Sequence, residues 1–133
     1  MYTVLLPVDT SVSRAERQAT YTASLPNASE SVSVVVGHAL TGEDEPENAA
    51  SIQEVESVRN VVDILESAGI EYELRELSTP PEEGILAVAA DQSFDQIVMG
   101  GRKRSPAEKA ILGSITQKVI LNANVPVVVT ACD

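Results

Sequence analysis

The chain has 133 residues, of which 44% are hydrophobic, so it has the length and apolar content of one compact domain and is not a disordered chain. Its net charge of −11 comes from 20 acidic and 9 basic residues, and such a surface repels nucleic acid and acidic membranes over most of its area. A single cysteine, Cys132, excludes an internal disulfide, and a single histidine, His38, argues against a zinc site.

The composition and the first residues indicate a cytoplasmic protein. No apolar run approaches the roughly 20 residues that span a bilayer, and residues 1–9 lack the basic segment of a signal peptide. Lysine and aromatic residues are scarce beside the acidic excess. This pattern favours a halophilic protein, adapted to a salt-rich cytosol, over an ordinary acidic cytosolic protein.

Apolar runs alternate with segments of helical periodicity, which predicts βαβ units and a parallel sheet. The first strand is expected over residues 2–8, followed by a helix over about residues 12–25 with Ser11 or Ser13 as its N-cap. The second strand, over residues 32–40, contains three consecutive valines. Such a run is typical of a strand that is buried on both faces.

The middle of the chain predicts the longest helix and an edge strand. Apolar residues recur every three or four positions over residues 47–68, and Gly69 is a natural residue to end that helix. Residues 70–77 alternate apolar and charged side chains, as in a half-exposed strand at a sheet edge. A further helix is expected to begin near Thr79, with prolines and glutamates in its first turn.

The last third of the chain predicts two more strands and one more helix. A fourth strand over residues 94–100 runs into a basic loop, and a helix over residues 114–122 and a last strand over residues 127–131 follow. Residues 1–133 contain no repeat, low-complexity segment or linker, so a single domain is expected.

The segment from Met99 to Thr116 has the composition of an anion pocket. A strand that ends in glycine lets backbone amides approach a phosphate, because no Cβ stands in the way. The step Gly113-Ser114 opens a helix whose free N–H groups and positive dipole end favour negative charge. Five of the nine basic residues lie within or just after this segment: Arg102, Lys103, Arg104, Lys109 and Lys118. We therefore expect any small ligand here, and we expect it to be an anion.

Asp9 follows the first strand and is expected at the same edge of the sheet as this segment. A carboxylate opposite an anion cradle is the arrangement that a nucleotide needs. A second interpretation is that Asp9 caps the first helix, and the two are compatible. His38 falls at the end of a buried strand and is expected to be a core histidine with satisfied hydrogen bonds.

Five segments carry a resemblance to a known family: residues 6–11, 36–39 and 95–100, the pair Gly113-Ser114, and residues 125–129. Their order and spacing resemble a universal stress protein of the small single-domain type over essentially the whole chain. The resemblance implies a doubly wound five-stranded parallel sheet, Rossmann-like and of the adenine nucleotide alpha hydrolase type, with helices on both faces. It also implies a homodimer, commonly formed by pairing of the C-terminal strands.

The ATP-binding members of that family carry a glycine, two residues, a second glycine, nine residues, a third glycine and then serine or threonine. Gly100, Gly113 and Ser114 fit this pattern, but Lys103 stands at the middle glycine. Three outcomes stay open. Lys103 replaces backbone contacts by a charge contact and ATP still binds; it fills the pocket and leaves room for a smaller anion or for nothing; or the basic loop, Arg102-Lys103-Arg104, is a solvated surface that recruits an acidic partner.

The resemblance also implies a set of pocket residues. The end of the first strand and Ala39 border adenine and ribose, the end of the fourth strand borders the path to the phosphates, and the start of the last helix holds the phosphates beside the basic loop. The first group is Pro7, Val8, Asp9 and Ala39, and the second is Met99 and Gly100. The third is Gly113, Ser114, Ile115 and Thr116, and the basic loop adds Arg102 and Lys103. Ser114 and Thr116 also fit as the N-cap and first-turn residues of the helix. Asp9 could help to hold Mg²⁺ beside the phosphates, although one carboxylate does not make a metal site.

These observations lead to one expected function and one alternative. The expected function is binding of ATP or a related adenine nucleotide at the carboxyl edge of the sheet, by a dimeric switch that acts in stress response. The alternative is an ATP-independent interaction and dimerisation module in which Lys103 replaces the glycine. No catalytic set is visible, so any ATP hydrolysis is expected to be slow.

Overall fold

The computed structural model of the protein describes residues 1–40, 51–101 and 112–130. The strands are β1 (Tyr2–Pro7), β2 (Val32–His38), β3 (Glu71–Glu76), β4 (Gln96–Gly100) and β5 (Val127–Thr130). The helices are α1 (Val12–Ala23), α2 (Ala28–Ser31), α3 (Glu56–Ser67), α4 (Pro81–Asp91) and α5 (Ser114–Asn122), with a single 3₁₀ turn at Ile52–Glu54. No helix of the described ranges is long and apolar enough to cross a membrane.

All five strands run parallel in the order β3-β2-β1-β4-β5, so the predicted doubly wound parallel sheet is confirmed. The chain starts in the centre with β1, adds β2 and β3 on one side, and then returns to add β4 and β5 on the other. Each return to a parallel strand needs a crossover, and the helices supply it. The predicted edge position of the third strand is also confirmed, since β3 has alternating half-buried and exposed residues.

Two apolar layers cover the two faces of the sheet. One layer packs α1 and α3 against the strands, and its members include Val34 and Val36. The other layer packs α4 and α5 against the opposite face, and its members include Val35. Because successive side chains of a strand point to opposite faces, the three consecutive valines enter both layers. They are at most 2% exposed, which confirms a strand that is buried on both faces.

The predicted helix over residues 47–68 is shorter in the structure. α3 begins only at Glu56, after the 3₁₀ turn, because Val55 is extended with φ −79° and ψ 127°. Ile52 and Val55 are nevertheless buried, so the apolar pattern marks their burial correctly while the backbone that delivers them is not α-helical. Residues 47–50 lie outside the described ranges.

The other boundaries differ by a few residues. α1 ends at Ala23, and the short helix α2 follows, which the sequence pattern did not predict. Gly69 adopts a left-handed conformation with φ +71° directly after α3, so its predicted role in ending that helix is confirmed. Residue 131, the expected end of the last strand, lies outside the described ranges.

Gly84 gives a test of how α4 is seated, because a Cβ at this position would lie 2.2 Å from the Ser78 carbonyl oxygen. Helix propensity alone predicts that Gly84→Ala stabilises the protein by about 1 kcal/mol. The steric conflict with backbone reverses that sign, and we expect a net loss of about 1–3 kcal/mol. Urea unfolding followed by circular dichroism measures the difference. Ala87→Gly, at an exposed position of the same helix, is the control for propensity, and a stabilised Gly84→Ala variant would contradict the packing described here.

Candidate functional site at the carboxyl edge of the sheet

The strand order reverses between β1 and β4, and this is where doubly wound sheets bind ligands. β1 pairs with β2 along its whole length, from Tyr2 opposite Val32 to Pro7 opposite Gly37. On its other side β1 pairs with β4 through only two residue pairs, the last of which joins Leu5 and Ile97. The carboxyl ends of β1 and β4 therefore lie side by side without a ladder between them, and we call this place the switch-point crevice.

Gln18 of α1 closes the base of the switch-point crevice. Its side-chain amide donates one hydrogen bond to the Pro7 carbonyl, at 2.6 Å, and another to the Val98 carbonyl, at 2.9 Å. The residue is 2% exposed, so the two carbonyls would otherwise be buried without partners. Sequence reasoning missed Gln18, although a polar residue between Ala15 and Ala19 on the inward face of a helix was a signal that could have found it.

Three successive carbonyls of the turn after β1 accept hydrogen bonds from side chains of different elements. Pro7 accepts from Gln18 of α1, Val8 from Nδ1 of His38 at the end of β2, and Asp9 from the hydroxyl of Ser57 in α3. A carbonyl can only accept, so Nδ1 carries the ring proton of His38. The prediction of a buried core histidine with a hydrogen-bond partner is confirmed, since His38 is 2% exposed. Ser57, which is fully buried, was missed.

The Asp9 carboxylate is held from two sides. Its Oδ1 accepts from the backbone N–H of Ser11 at 2.9 Å, and its Oδ2 accepts from Arg14 Nε at 3.0 Å and lies 2.9 Å from Arg14 Nη2. The interpretation of Asp9 as the helix cap is wrong, because the cap of α1 is Ser11, whose hydroxyl accepts from the backbone N–H of Arg14. Of the two serines proposed for the cap, Ser11 is thus the correct one. Arg14 was not among the predicted site residues.

The end of β4 is tied to the end of β5. The Met99 carbonyl accepts from the Thr130 hydroxyl at 3.2 Å, and the Gly101 N–H donates to the Thr130 carbonyl, also at 3.2 Å. A Cβ on Gly101 would lie 2.4 Å from that carbonyl oxygen, so this position requires glycine for close approach of two backbones. A Cβ on Gly100 would instead meet the side chains of Gln18 and Arg14, at 3.2 and 3.3 Å.

The last helix begins with an uncapped first turn. Gly113 is its N-cap residue, with φ −69° and ψ 161°, and it has no side chain to accept from the first N–H groups. Ser114 is therefore the first helical residue, and its expected role as N-cap is wrong. It is exposed, Ile115 is half-buried against the α4–α5 layer, and Thr116 is 6% exposed. The N–H groups of this turn, which have no partner within the helix, are donors for an anion.

The structure thus brings most of the predicted site residues of the first, second and fourth strands to one edge. Pro7, Val8 and Asp9 form the β1 side, Ala39 follows β2, and the β4 side ends at Met99 and Gly100. Except for the exposed Asp9 and the partly exposed Gly100, these residues are buried.

Arg102, Lys103 and Arg104 lie outside the described ranges, and the effect of Lys103 at the glycine position stays a prediction. Within the described part of the chain no group of three or more histidine, cysteine, aspartate or glutamate residues is arranged to hold a metal ion.

The fold defines a doubly wound α/β protein whose strand order reverses at the switch-point crevice, and comparison with known proteins gives the family. The model of the universal stress protein family matches residues 1–131. The chain is 30% identical over 87 residues to a universal stress protein of Methanocaldococcus jannaschii, a match that covers 65% of this chain and 54% of that protein. The match thus spans about half the length of this curated relative.

Solved structures extend the similarity to nearly the whole chain. A universal stress protein from Archaeoglobus fulgidus is 30% identical with a TM-score of 0.75, covering 98% of this chain and 99% of that one. The structure of the universal stress protein from Archaeoglobus fulgidus in complex with dAMP is 28% identical with a TM-score of 0.75, and 98% of each chain is covered. The chain belongs to the universal stress protein family.

Gln18 allows a test of the base of the crevice. Gln18→Met keeps the side-chain volume but removes both donors, so two buried carbonyls lose their partners, and we expect a loss of about 2–4 kcal/mol in the free energy of unfolding. Gln117→Met is the matched control, because its amide is exposed and donates to the Leu112 carbonyl, and it should cost less than about 1 kcal/mol. Chemical unfolding of the two variants measures both values. Equal losses would show that the hydrogen bonds of the buried amide stabilise the protein no more than that of an exposed amide.

Proposed function

We propose that this protein binds an adenine nucleotide in the switch-point crevice. The observation that carries the proposal is the strand reversal itself, where the β1–β4 ladder stops after Leu5 and Ile97 and leaves two strand ends side by side. The complex of the Archaeoglobus fulgidus relative with dAMP supports an adenine nucleotide as the class of ligand.

The base and the ribose are assigned to the ends of β1 and β2. Pro7, Val8, Asp9 and Ala39 surround the start of the crevice, and three carbonyls of this turn already accept hydrogen bonds from within the protein. Met99 and Gly100 line the β4 side. Pro7 has no N–H and the Val8 N–H donates to the Gly37 carbonyl, so on the β1 side a ligand meets chiefly the Asp9 side chain, which is 54% exposed.

The phosphates are assigned to the start of α5 and to the basic loop. The first turn of α5 offers uncapped N–H groups at Gly113, Ser114, Ile115 and Thr116, and a helix N-terminus favours an anion. Arg102 and Lys103 would add charge, so that ATP remains a candidate beside the monophosphates. Hydrolysis, if it takes place, is expected to be slow because no residue set for activating water was found in the sequence.

The wider role is that of a cytoplasmic stress-response switch that forms a homodimer. β5 lies at the free edge of the sheet, and its residues Val127–Val129 are only half-buried, which suits pairing with the β5 strand of a second copy. The net charge of −11 supports a salt-rich working environment.

A second candidate function is an interaction module that binds no ATP. The observation in its favour is Lys103 at the position of the family's middle glycine. In this case the basic loop recruits an acidic partner. Lys103→Gly separates the two functions, because it creates or greatly improves ATP binding only if the lysine blocks the pocket.

Calorimetric titration tests the proposed function. We expect ATP or AMP to bind with about one nucleotide per chain, with the buffer held at molar KCl so that the acidic surface is screened. Gly113→Val should weaken binding at least about tenfold, because its side chain covers the N–H groups of α5. The φ of −69° at Gly113 suits any residue, so the variant is expected to fold.

Asn124→Val is the matched control, because Asn124 is exposed just beyond the other end of α5. The affinity of this variant for the nucleotide should equal that of the wild type. A folded wild-type protein that gives no heat with any adenine nucleotide would refute the proposal in favour of the interaction module. Unchanged affinity in the Gly113→Val variant would contradict the assignment of the phosphates to the start of α5.

A further inference from the structure

Arg14 spans the switch-point crevice from one side to the other. It sits in the first turn of α1, and a Cβ on Gly100 would lie 3.3 Å from its Cβ and 3.4 Å from its Cδ. Its guanidinium reaches Asp9, with Nη2 2.9 Å and Nε 3.0 Å from Oδ2. The aliphatic stem therefore covers the end of β4, while the charged head lies at the end of β1.

The position of this cation is unfavourable for the helix. The N-terminal end of a helix carries a partial positive charge, which disfavours a cation in the first turn. α1 has no acidic residue in that turn, so Asp9, outside the helix, is the carboxylate that offsets the charge. An ion pair with side chains that are 30% and 54% exposed contributes little to stability, so folding alone does not account for Arg14.

Among the described residues, the hydrogen bonds of the pair leave guanidinium donors unused, while each carboxylate oxygen already accepts at least one hydrogen bond. A guanidinium has five N–H groups, and Asp9 is the only carboxylate that Arg14 contacts within the described ranges. Donors on Nη1 and Nη2 therefore remain for a ligand. Both Asp9 oxygens are engaged, Oδ1 by the Ser11 N–H and Oδ2 by Arg14. A divalent cation at Asp9 would lie beside the guanidinium, whose positive charge disfavours it.

We infer that Arg14 recognises the phosphate next to the ribose of a nucleotide bound in the switch-point crevice, in addition to the contacts assigned to the start of α5, and that its guanidinium neutralises charge there in place of a divalent cation. The inference rests on the proposed function and adds to it the residue that selects a phosphorylated ligand and the independence from Mg²⁺. Arginine suits this task because its planar fork donates two hydrogen bonds to one phosphate. Asp9 keeps the side chain stretched across the crevice before the ligand arrives.

The test compares AMP with adenosine, which differ only in the phosphate, on the full chain by calorimetry. Arg14→Gln should weaken AMP binding about 10- to 100-fold, the range that a charge-assisted hydrogen bond supplies, and should change adenosine binding less than about threefold. Arg14→Lys should fall between, because lysine keeps the charge and loses the fork. The wild-type affinity for AMP should be the same with Mg²⁺ and with EDTA.

Arg59→Gln is the matched control. Arg59 is exposed on α3 and lies on a different side of that helix from Ser57, which binds the Asp9 carbonyl, and its replacement makes the same change in net charge. It should leave both affinities unchanged, and circular dichroism of each variant checks that the fold is kept.

Each contrary result overturns something different. Equal losses for AMP and adenosine in Arg14→Gln, or an equal loss for AMP in Arg59→Gln, would refute phosphate recognition by Arg14. AMP binding that needs Mg²⁺ would refute the replacement of the cation. A wild-type protein that binds neither AMP nor adenosine would refute the proposed function and this inference with it. An AMP affinity that is unchanged in Arg14→Gln would refute the inference alone.

Discussion

The two hydrogen bonds donated by the Gln18 side-chain amide are the interaction on which the site depends. A parallel sheet normally satisfies its backbone groups by pairing each strand with two neighbours, and β1 does so along its whole length on the β2 side but through only two residue pairs on the β4 side. On the β4 side the Pro7 and Val98 carbonyls accept from one buried side chain instead of from each other's strand. This substitution lets two central strands end side by side without a ladder, while the Pro7 and Val98 carbonyls keep hydrogen-bond partners. A crevice in the middle of a hydrophobic sheet is stable for that reason.

The elements that form the site come from distant parts of the sequence, because the strand ends at the crevice are held by side chains and backbone of other elements. α1 supplies Gln18, which binds the strand ends at the base of the crevice, and Arg14, which reaches across it. One helix therefore provides both a structural hydrogen bond and a positive charge. β5 closes the other side through Thr130, whose hydroxyl and carbonyl hold the end of β4. The glycine at position 101 is needed because those two backbones approach more closely than a Cβ allows.

The sequence predicted the sheet, its helices and most of the edge at which the site lies, because those features follow from periodicity. Three consecutive valines predict a strand that is buried on both faces, and Gly69 predicts the end of a helix. The side chains that complete the site were not predictable in the same way. Gln18 and Ser57 look like polar helix residues until the strand ends that they bind are placed. The contact between Arg14 and Asp9 depends on the turn between them. Val55 shows the opposite limit, since its apolar character predicts burial but not an extended backbone.

The clamped turn after β1 has a consequence for the thermodynamics of ligand binding. Side chains from α1, β2 and α3 each fix one of three neighbouring carbonyls, so the conformational entropy of this turn is lost when the protein folds and not when a ligand arrives. A ligand that docks against a wall ordered in advance retains more of its interaction energy as affinity. The β1 side of the crevice is in this sense a rigid template, and differences in affinity between ligands reflect their own shape and charge instead of the work of ordering the protein.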